Sequence, residues 1–358
     1  MRYARQIALP NVGRDGQQKL RAAKVLMVGA GGLGCPALQY LAAAGVGTLG
    51  IVDGDHVELS NLHRQTLFTE ADIGRNKAEV AVERLHALNP DVKLVPYPEH
   101  LDGHNAARIA AGYDVVIDGT DDPMARYLIN DLCVQLGLPF VHGSIHRFAG
   151  QVSVFNYQDG PTYRCLFPDQ PASGEFPDCA QAGVLGVLPG IIGTVQASEA
   201  LKIILGIGTT LSGKLKVIDP LQWEERTIAF ARNEEQVLKA RASDLHAFIP
   251  EQNCDTGSTI DAAQLMEWLA KEQRIHLLDV RELHEEPAMD VPNVLRIPLG
   301  QLLGRLDELP AEGTLVVICQ HGIRSKRAMD LLNKAGLPLR ILDLEGGMAA
   351  FTSSKHIA

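Results

Sequence analysis

Two successive α/β units, the first larger and built on a mainly parallel sheet, are what this sequence of 358 residues predicts. Three observations carry that expectation. Short Val/Ile/Leu runs alternate with segments of helical composition. Those runs are continuous rather than alternately polar and apolar, as strands buried on both faces are. A charged stretch without apolar periodicity, 233–257, then separates this pattern from a second one of the same kind and reads as a linker.

Taken in order, KVLMVGA (24–30) reads as a strand that ends in glycine, and CPALQYLAAAGV (35–46) as a helix. TLGIVDGD (48–55) is a second strand running into acidic residues. KAEVAVERLHALN (77–89) has helical spacing and VKLVPYP (92–98) is a strand. YDVVIDGTDD (113–122) repeats the buried strand followed by an acidic loop. LINDLCVQLG (128–137) is a helix and PFVHGSIH (139–146) a strand. The longest apolar stretch, 180–204, is broken by several glycines, Pro189, Gln196, Glu199 and Lys202, which predicts a core helix rather than a membrane span. Beyond the linker, DAAQLMEWLAKE (261–272) is a helix and IHLLDVRE (275–282) a strand. TLVVICQHGIRS (314–325) is a strand and loop, KRAMDLLNKAG (326–336) a helix, and LRILDLEGG (339–347) a strand and turn.

Composition narrows the function classes. The chain is 46% hydrophobic and 21% charged, with a formal net charge of −10. That is ordinary globular composition without a global basic field, so no nucleic-acid partner is expected. Six cysteines in no Cys-x-x-Cys pair do not make a disulfide scaffold. The charged start MRYARQIALP is no signal peptide, and a cytoplasmic protein in a reducing compartment, with no membrane partner, is expected.

Gly29, Gly31 and Gly34 form a G-x-G-x-x-G fingerprint between a strand and a helix, and Asp53 closes the next strand. Glycines let the backbone approach a phosphate, the helix N-terminus favours the anion, and the carboxylate accepts from ribose hydroxyls. These residues alone leave a dinucleotide, another nucleotide and a plain tight turn open. The next stretch adds Asn61, Arg64, Gln65 and Lys77, two amides and two cations, which suit a triphosphate from which pyrophosphate departs. Asp121 and Asp122 follow the strand VVID, where carboxylates can hold Mg²⁺.

Together RYARQIALP, GAGGLG, VDGD-x₄-SNLHRQ, GRNK and DGTDD occur in an order that resembles the ThiF/MoeB-type, ubiquitin-activating-enzyme-like adenylyltransferase family over 1–232. The resemblance implies a Rossmann-like activating-enzyme domain. It also implies ATP-dependent adenylation of the C-terminal glycine of a ubiquitin-like sulfur-carrier protein ending in Gly-Gly. By resemblance, Gly32 and Asp53 meet adenosine and ribose, Asn61, Arg64 and Lys77 meet the phosphates, and Asp121 meets Mg²⁺. Asp55 and Ser60 fall within the same motif stretch and are placed with the nucleotide contacts. Arg5 matches an arginine that reaches the partner subunit's ATP site, so a homodimer is implied. Cys179, in FPDCAQAGVLG, matches a segment whose cysteine is implicated in thioester or persulfide linkage. Cys35 and Cys133 read as packing. Members of this family often hold Zn²⁺ on two Cys-x-x-Cys pairs. Here TYRC keeps Cys165 but has Thr162 in place of a ligand, and 225–245 holds no cysteine, so no zinc site is expected and apolar contact should hold those loops.

In the second unit, Cys319 follows a strand and opens a short loop with Gly322, Arg324 and Ser325 before a helix. Converging backbone N–H groups and Arg324 would stabilise a thiolate or an anionic sulfur. With LLDVRE (277–282) and LEGGMAAF (344–351), this resembles a rhodanese domain over 258–358 and implies that Cys319 carries a persulfide. His321 reads equally as a loop tuner or a solvated side chain, and Asp279 and Arg281 as a structural pair.

The chain is expected to adenylate a carrier and let the Cys319 persulfide attack the acyl-adenylate. Reductive release, with Cys179 as a candidate thiol, then leaves a thiocarboxylate. The sulfur donor is thiosulfate or a cysteine desulfurase. The rivals are a non-catalytic carrier-binding sulfur-relay scaffold and an NAD-dependent oxidoreductase.

Overall fold

The computed structural model describes residues 2–170, 183–248, 259–271, 275–283, 285–287, 289, 291, 294–320 and 322–355. Two compact units, 1–250 and 251–358, divide the chain.

In the first unit, strands β1 (Lys24–Val28), β2 (Thr48–Val52), β3 (Lys93–Tyr97), β4 (Val115–Asp118) and β5 (Phe140–His146) fall where the apolar runs predict them. They pair in parallel in the order β3-β2-β1-β4-β5. The apolar runs have a simple cause. Along β1, Val25 and Met27 enter one core while Leu26 and Val28 enter the core on the opposite face. Helices Gly34–Ala44, Lys77–Leu88 and Val187–Leu205 contribute to the first core; helix Pro123–Leu136 and the turn Ala106–Ala110 contribute to the second.

Val187–Leu205 is long and apolar enough to cross a membrane. Its packing is that of a core helix. A Cβ at Gly193 would fall 2.2 Å from the Leu33 carbonyl, so the helix presses directly on its neighbour's backbone. Gln196 and Glu199, both buried on it, hydrogen-bond the Asp118 carbonyl (2.5 Å) and the Leu211 N–H (2.9 Å).

The sequence reading stopped at β5, but the sheet continues through antiparallel β6 (Ala149–Phe155), β7 (Lys214–Asp219) and β8 (Glu224–Ala229). Every residue of β8 is exposed, which is why no hydrophobic pattern marks it. Its Glu224, Glu225 and Arg226 guard an open edge.

The expected linker 233–257 is corrected at its start. Asn233 caps a helix, Glu234–Arg241, by accepting from Glu235 N and Gln236 N. Val237 and Ala240 bury against Val134, and Gln135 donates to the Ala240 and Ser243 carbonyls. Two apolar residues per two turns suffice to dock this helix, so charge dominates its sequence.

The second unit is a five-stranded parallel sheet in the order β11-β10-β12-β13-β9. Its strands are β9 (Thr259–Ile260), β10 (Ile275–Asp279), β11 (Val294–Arg296), β12 (Gly313–Ile318) and β13 (Leu339–Leu344). Helices Ala262–Ala270, Ile323–Lys334 and Gly347–Lys355 accompany it. Apolar clusters lie on both faces, with Val316 and Ile318 in one and Leu315 and Val317 in the other.

Candidate functional site

The order 3-2-1-4-5 reverses direction between β1 and β4, and the crevice beyond the carboxyl ends of such strands is where open α/β sheets bind ligands. Gly29, at φ +91°, faces the Gly119 carbonyl so closely that a Cβ would lie 2.8 Å away. A Cβ at Gly34 would lie 2.1 Å from the Gly29 carbonyl, so only glycine permits this strand-to-helix turn.

Around that turn the charged residues converge. Asp53 is 9% exposed and accepts from Ala30 N (2.7 Å) and Asp55 N (2.9 Å). Burial pushes its carboxyl above the usual range, opposed by the Lys77 charge. Lys77, itself buried, reaches the Asp55 carboxylate at 2.8 Å. Asn76 fixes both partners. Its oxygen caps helix Lys77–Leu88 through Ala78 N and Glu79 N, and its amide donates to the Asp53 and Asp55 carbonyls. The sequence reading passed over Asn76, although Asn before an apolar-periodic helix is a capping signal.

Ser60, Asn61 and Arg64 share one turn. Arg64 donates to the Ser60 carbonyl (3.0 Å), and Asn61 is buried with its amide on Ser60 Oγ (3.3 Å). Gln65 is 3% exposed, and its Oε1 has no hydrogen-bond partner. Its amide nitrogen lies 3.6 Å from where a Gly31 Cβ would stand, and that is the sole near neighbour there. Gly32 faces Pro189 and the Arg64 side chain. An orphaned buried acceptor beside an open glycine turn fits an N–H or O–H donor of a nucleotide, and the turn itself, with Arg64 beside Gly32, fits the phosphates.

Asp121 and Asp122 are exposed after β4 and differ in kind. Asp122 caps helix Pro123–Leu136, accepting from Met124 N (2.8 Å) and Ala125 N (3.2 Å). Its carboxylate thus has a capping role in the helix, beside the nucleotide or metal role expected of it. Asp122→Ala is expected to lower unfolding free energy by about 1 kcal/mol and leave nucleotide turnover intact, read by denaturant titration beside a pyrophosphate-exchange assay. Asp121 retains its carboxylate for an oxygen-seeking cation. Among the described residues, no group of three or more His, Cys, Asp or Glu converges as a metal site.

Behind this loop lies a buried network that the sequence reading missed. Asp118 is fully buried and accepts from Thr120 N (2.9 Å), Thr120 Oγ1 (2.7 Å) and His142 Nδ1 (2.9 Å). Burial lowers the His142 pKa despite that carboxylate, so the ring donates as the neutral species. Arg126 lies 3.7 Å from the same carboxylate and donates to the Thr120 carbonyl. The network fixes the path of the chain leading to Asp121.

Arg5 is exposed on the one-turn helix Ala4–Ile7. That arm is pinned by Tyr3, whose hydroxyl accepts from Asn89, and by Gln6, which donates to the Ala44 carbonyl. Cys179 and His321 lie outside the described residues. Cys35 and Cys133 are fully buried, and desolvation pushes the Cys35 thiol up to about 12 and Cys133 higher still, which suits packing rather than chemistry. Cys165 accepts from Thr162 N and Asn233 N, each at 3.3 Å. The loops expected to be held by apolar contact alone are thus also tied through this sulfur.

In the second unit, Cys319 sits at the end of β12, 1% exposed. Its Sγ accepts from Gly322 N (3.1 Å) and from Ser325 Oγ (3.3 Å). Gly322 takes φ +88°, a left-handed conformation that favours glycine, where the loop enters helix Ile323–Lys334. The loop backbone is fixed from behind, because Met348 N and Ala349 N donate to the Cys319 and Gln320 carbonyls. A Cβ at Gly347 would stand 2.3 Å from the Cys319 carbonyl, so glycine at 347 is a requirement of this contact. Asp279 and Arg281 are a fully buried pair at 2.8 Å, as read, and Arg281 also reaches Gln320 Oε1 (3.1 Å). Arg324 is engaged by a residue the sequence reading did not single out. It makes a two-pronged ion pair with Glu285, at 2.5 and 2.8 Å. The hydrogen-bonded guanidinium holds the Glu285 carboxyl down at about 2, so the pair stays closed throughout the neutral range.

Comparison with known proteins agrees with both halves. The ThiF family matches residues 3–239, and the rhodanese-like domain matches residues 261–354. Over 362 residues the chain is 40% identical to a probable adenylyltransferase/sulfurtransferase, MoeZ, of Mycobacterium tuberculosis, covering 98% of this chain and 92% of the relative. It is 52% identical over 237 residues to a sulfur carrier protein adenylyltransferase of Thermus thermophilus, covering 65% of this chain and 88% of that one. Among solved structures, Escherichia coli MccB crystallised with MccA-N7isoASN has the same fold, with TM-score 0.57, 21% identity, and coverage of 65% of this chain and 72% of that chain.

Proposed function

The chain belongs to the ThiF family and continues into a rhodanese-like domain, and from that premise we propose that it converts the C-terminal glycine of a ubiquitin-like sulfur carrier into a thiocarboxylate in two steps. First, a carboxylate oxygen of the carrier attacks the α-phosphorus of ATP, the bond to pyrophosphate breaks, and an acyl-adenylate forms. A free carboxylate is a poor electrophile, and joining it to AMP supplies a leaving group. The chain's own residues position and neutralise. The glycine turn and helix end receive phosphate, Arg64 and Lys77 balance the departing charge, and Asp53 receives the ribose. Asp121 would hold Mg²⁺, which shields phosphate charge when bound.

Next, the terminal sulfur of a Cys319 persulfide attacks the acyl carbon and AMP leaves, giving an acyl disulfide. A thiol, with Cys179 as the candidate, then attacks Cys319 Sγ. The S–S bond to the carrier breaks, its electron pair leaves on the thiocarboxylate, and a disulfide to Cys319 remains for an external thiol reductant. Arg5, on its pinned arm, is assigned to a second subunit's nucleotide site, which requires a homodimer.

One observation carries the reading most directly. The same chain holds a phosphate-ready glycine turn with an orphaned Gln65 acceptor and a cysteine whose sulfur receives a backbone N–H and a hydroxyl. The test is ATP–pyrophosphate exchange with a purified ubiquitin-like protein ending in Gly-Gly. Exchange is expected only with the intact diglycine tail. NAD binding without exchange would return the oxidoreductase reading instead.

A further inference from the structure

The Arg324–Glu285 pair bears on which sulfur donor the second unit accepts. Glu285 is not placed on that arginine by chance of a flexible surface chain. Its carboxylate also accepts from Glu282 N (2.8 Å), and the segment carrying it is braced by two other arginines. Arg296 donates to the Leu283 and Glu285 carbonyls, and Arg281 to the Pro287 carbonyl. The carboxylate therefore meets the guanidinium already oriented. Arg324 is close enough to Cys319 for the two charges to interact, and so is a cation that a charged donor would meet. Arg281, another guanidinium reaching this loop, is already paired with Asp279. Behind Gly322 lies a buried carboxyl, Asp343.

Resting on the reading that Cys319 carries the sulfur, we propose that Glu285 is a specificity residue that closes Arg324 against anionic donors, so that the site takes sulfur from a protein-bound cysteine persulfide rather than from thiosulfate. The chemistry of the two donors explains the difference. With a persulfide, the Cys319 thiolate attacks the terminal sulfur of R–S–SH. The donor S–S bond breaks, its electron pair and a proton go to R–SH, and Cys319 keeps the sulfane sulfur; nothing is oxidised overall. With thiosulfate, the same attack expels sulfite, whose negative charge spreads over three oxygens. That leaving group needs a guanidinium free to turn toward it, and one clasped by both oxygens of a carboxylate that Glu282 N also fixes is not free to do so.

The full-length chain tests this with thiosulfate and with a persulfidated cysteine desulfurase as the two sulfur sources, reading persulfide on Cys319 by mass spectrometry and rate. In Glu285→Gln, kcat/KM for thiosulfate is expected to rise about tenfold or more, with loading from the desulfurase within about twofold of wild type. Adding Arg324→Gln to that variant should remove the gain. An unchanged thiosulfate rate in Glu285→Gln overturns the proposal. A fall with both donors overturns it too, since the pair would then be holding the loop rather than screening it. Wild-type protein that loads Cys319 from neither donor would instead overturn the reading underneath.

Discussion

Cys319→Ala will end thiocarboxylate formation while ATP–pyrophosphate exchange continues at the wild-type rate. The sulfur is the atom that bonds to the transferred sulfur, so its loss removes the covalent route altogether, and a drop of at least about 10³-fold is expected. The substitution deletes one small buried atom. Its neighbours, the Gly322 N–H and the Ser325 hydroxyl, lose one acceptor, and the loop backbone stays fixed by the Met348 and Ala349 amides. The stability cost is on the order of 1 kcal/mol, too little to unfold the unit. The two assays are mass spectrometry of the carrier after incubation with ATP and a sulfur source, and isotope exchange into ATP. Thiocarboxylate made at the normal rate by this variant would remove Cys319 from the pathway.

The converse substitution, Lys77→Met, should reduce exchange by about 10²- to 10³-fold and leave persulfide loading of Cys319 untouched. Lys77 is 6% exposed, so its ammonium acts in a poorly solvated site where one charge near a departing pyrophosphate counts heavily. Methionine keeps the alkyl length. The local chain survives because Asn76, rather than Lys77, caps the helix and ties down the Asp53 and Asp55 carbonyls. Lys77→Arg should not restore the rate, since a broader guanidinium does not fit the same buried slot. Exchange at half the wild-type rate or better in Lys77→Met would mean that Arg64 and the helix terminus suffice for the phosphates.

What could be read in advance follows from how each feature is encoded. The central parallel strands β1, β2 and β4 were legible because they are buried almost throughout, which compresses the signal into runs such as KVLMV. The glycine turn was legible because its spacing is fixed by backbone contact, as Gly34 against Gly29 shows. The antiparallel β8 was not, because none of its residues is buried. Helix Glu234–Arg241 was read as linker because it docks on Val237 and Ala240 alone. Site residues that act through distant partners were the hardest. Asp118 with His142, and Glu285 with Arg324, are pairs made by the fold across 24 and 39 positions, and neither member marks the other in sequence. The cap made by Asp122 was hidden for the opposite reason, since an acidic residue before proline satisfies a metal reading and a capping reading equally until the helix start is seen.

The amides of Met348 and Ala349 clamp the two peptides that follow the reactive thiol, and Gly347 leaves the first of them no room to recede. The cysteine is thus a fixed post rather than an arm. The only reach its cargo gains is the length of one S–S bond, about 2 Å. Within its own unit that buried post stays put, so an acceptor slender enough to reach a 1% exposed sulfur, as a diglycine tail is, suits it better than a carboxylate borne on a folded surface.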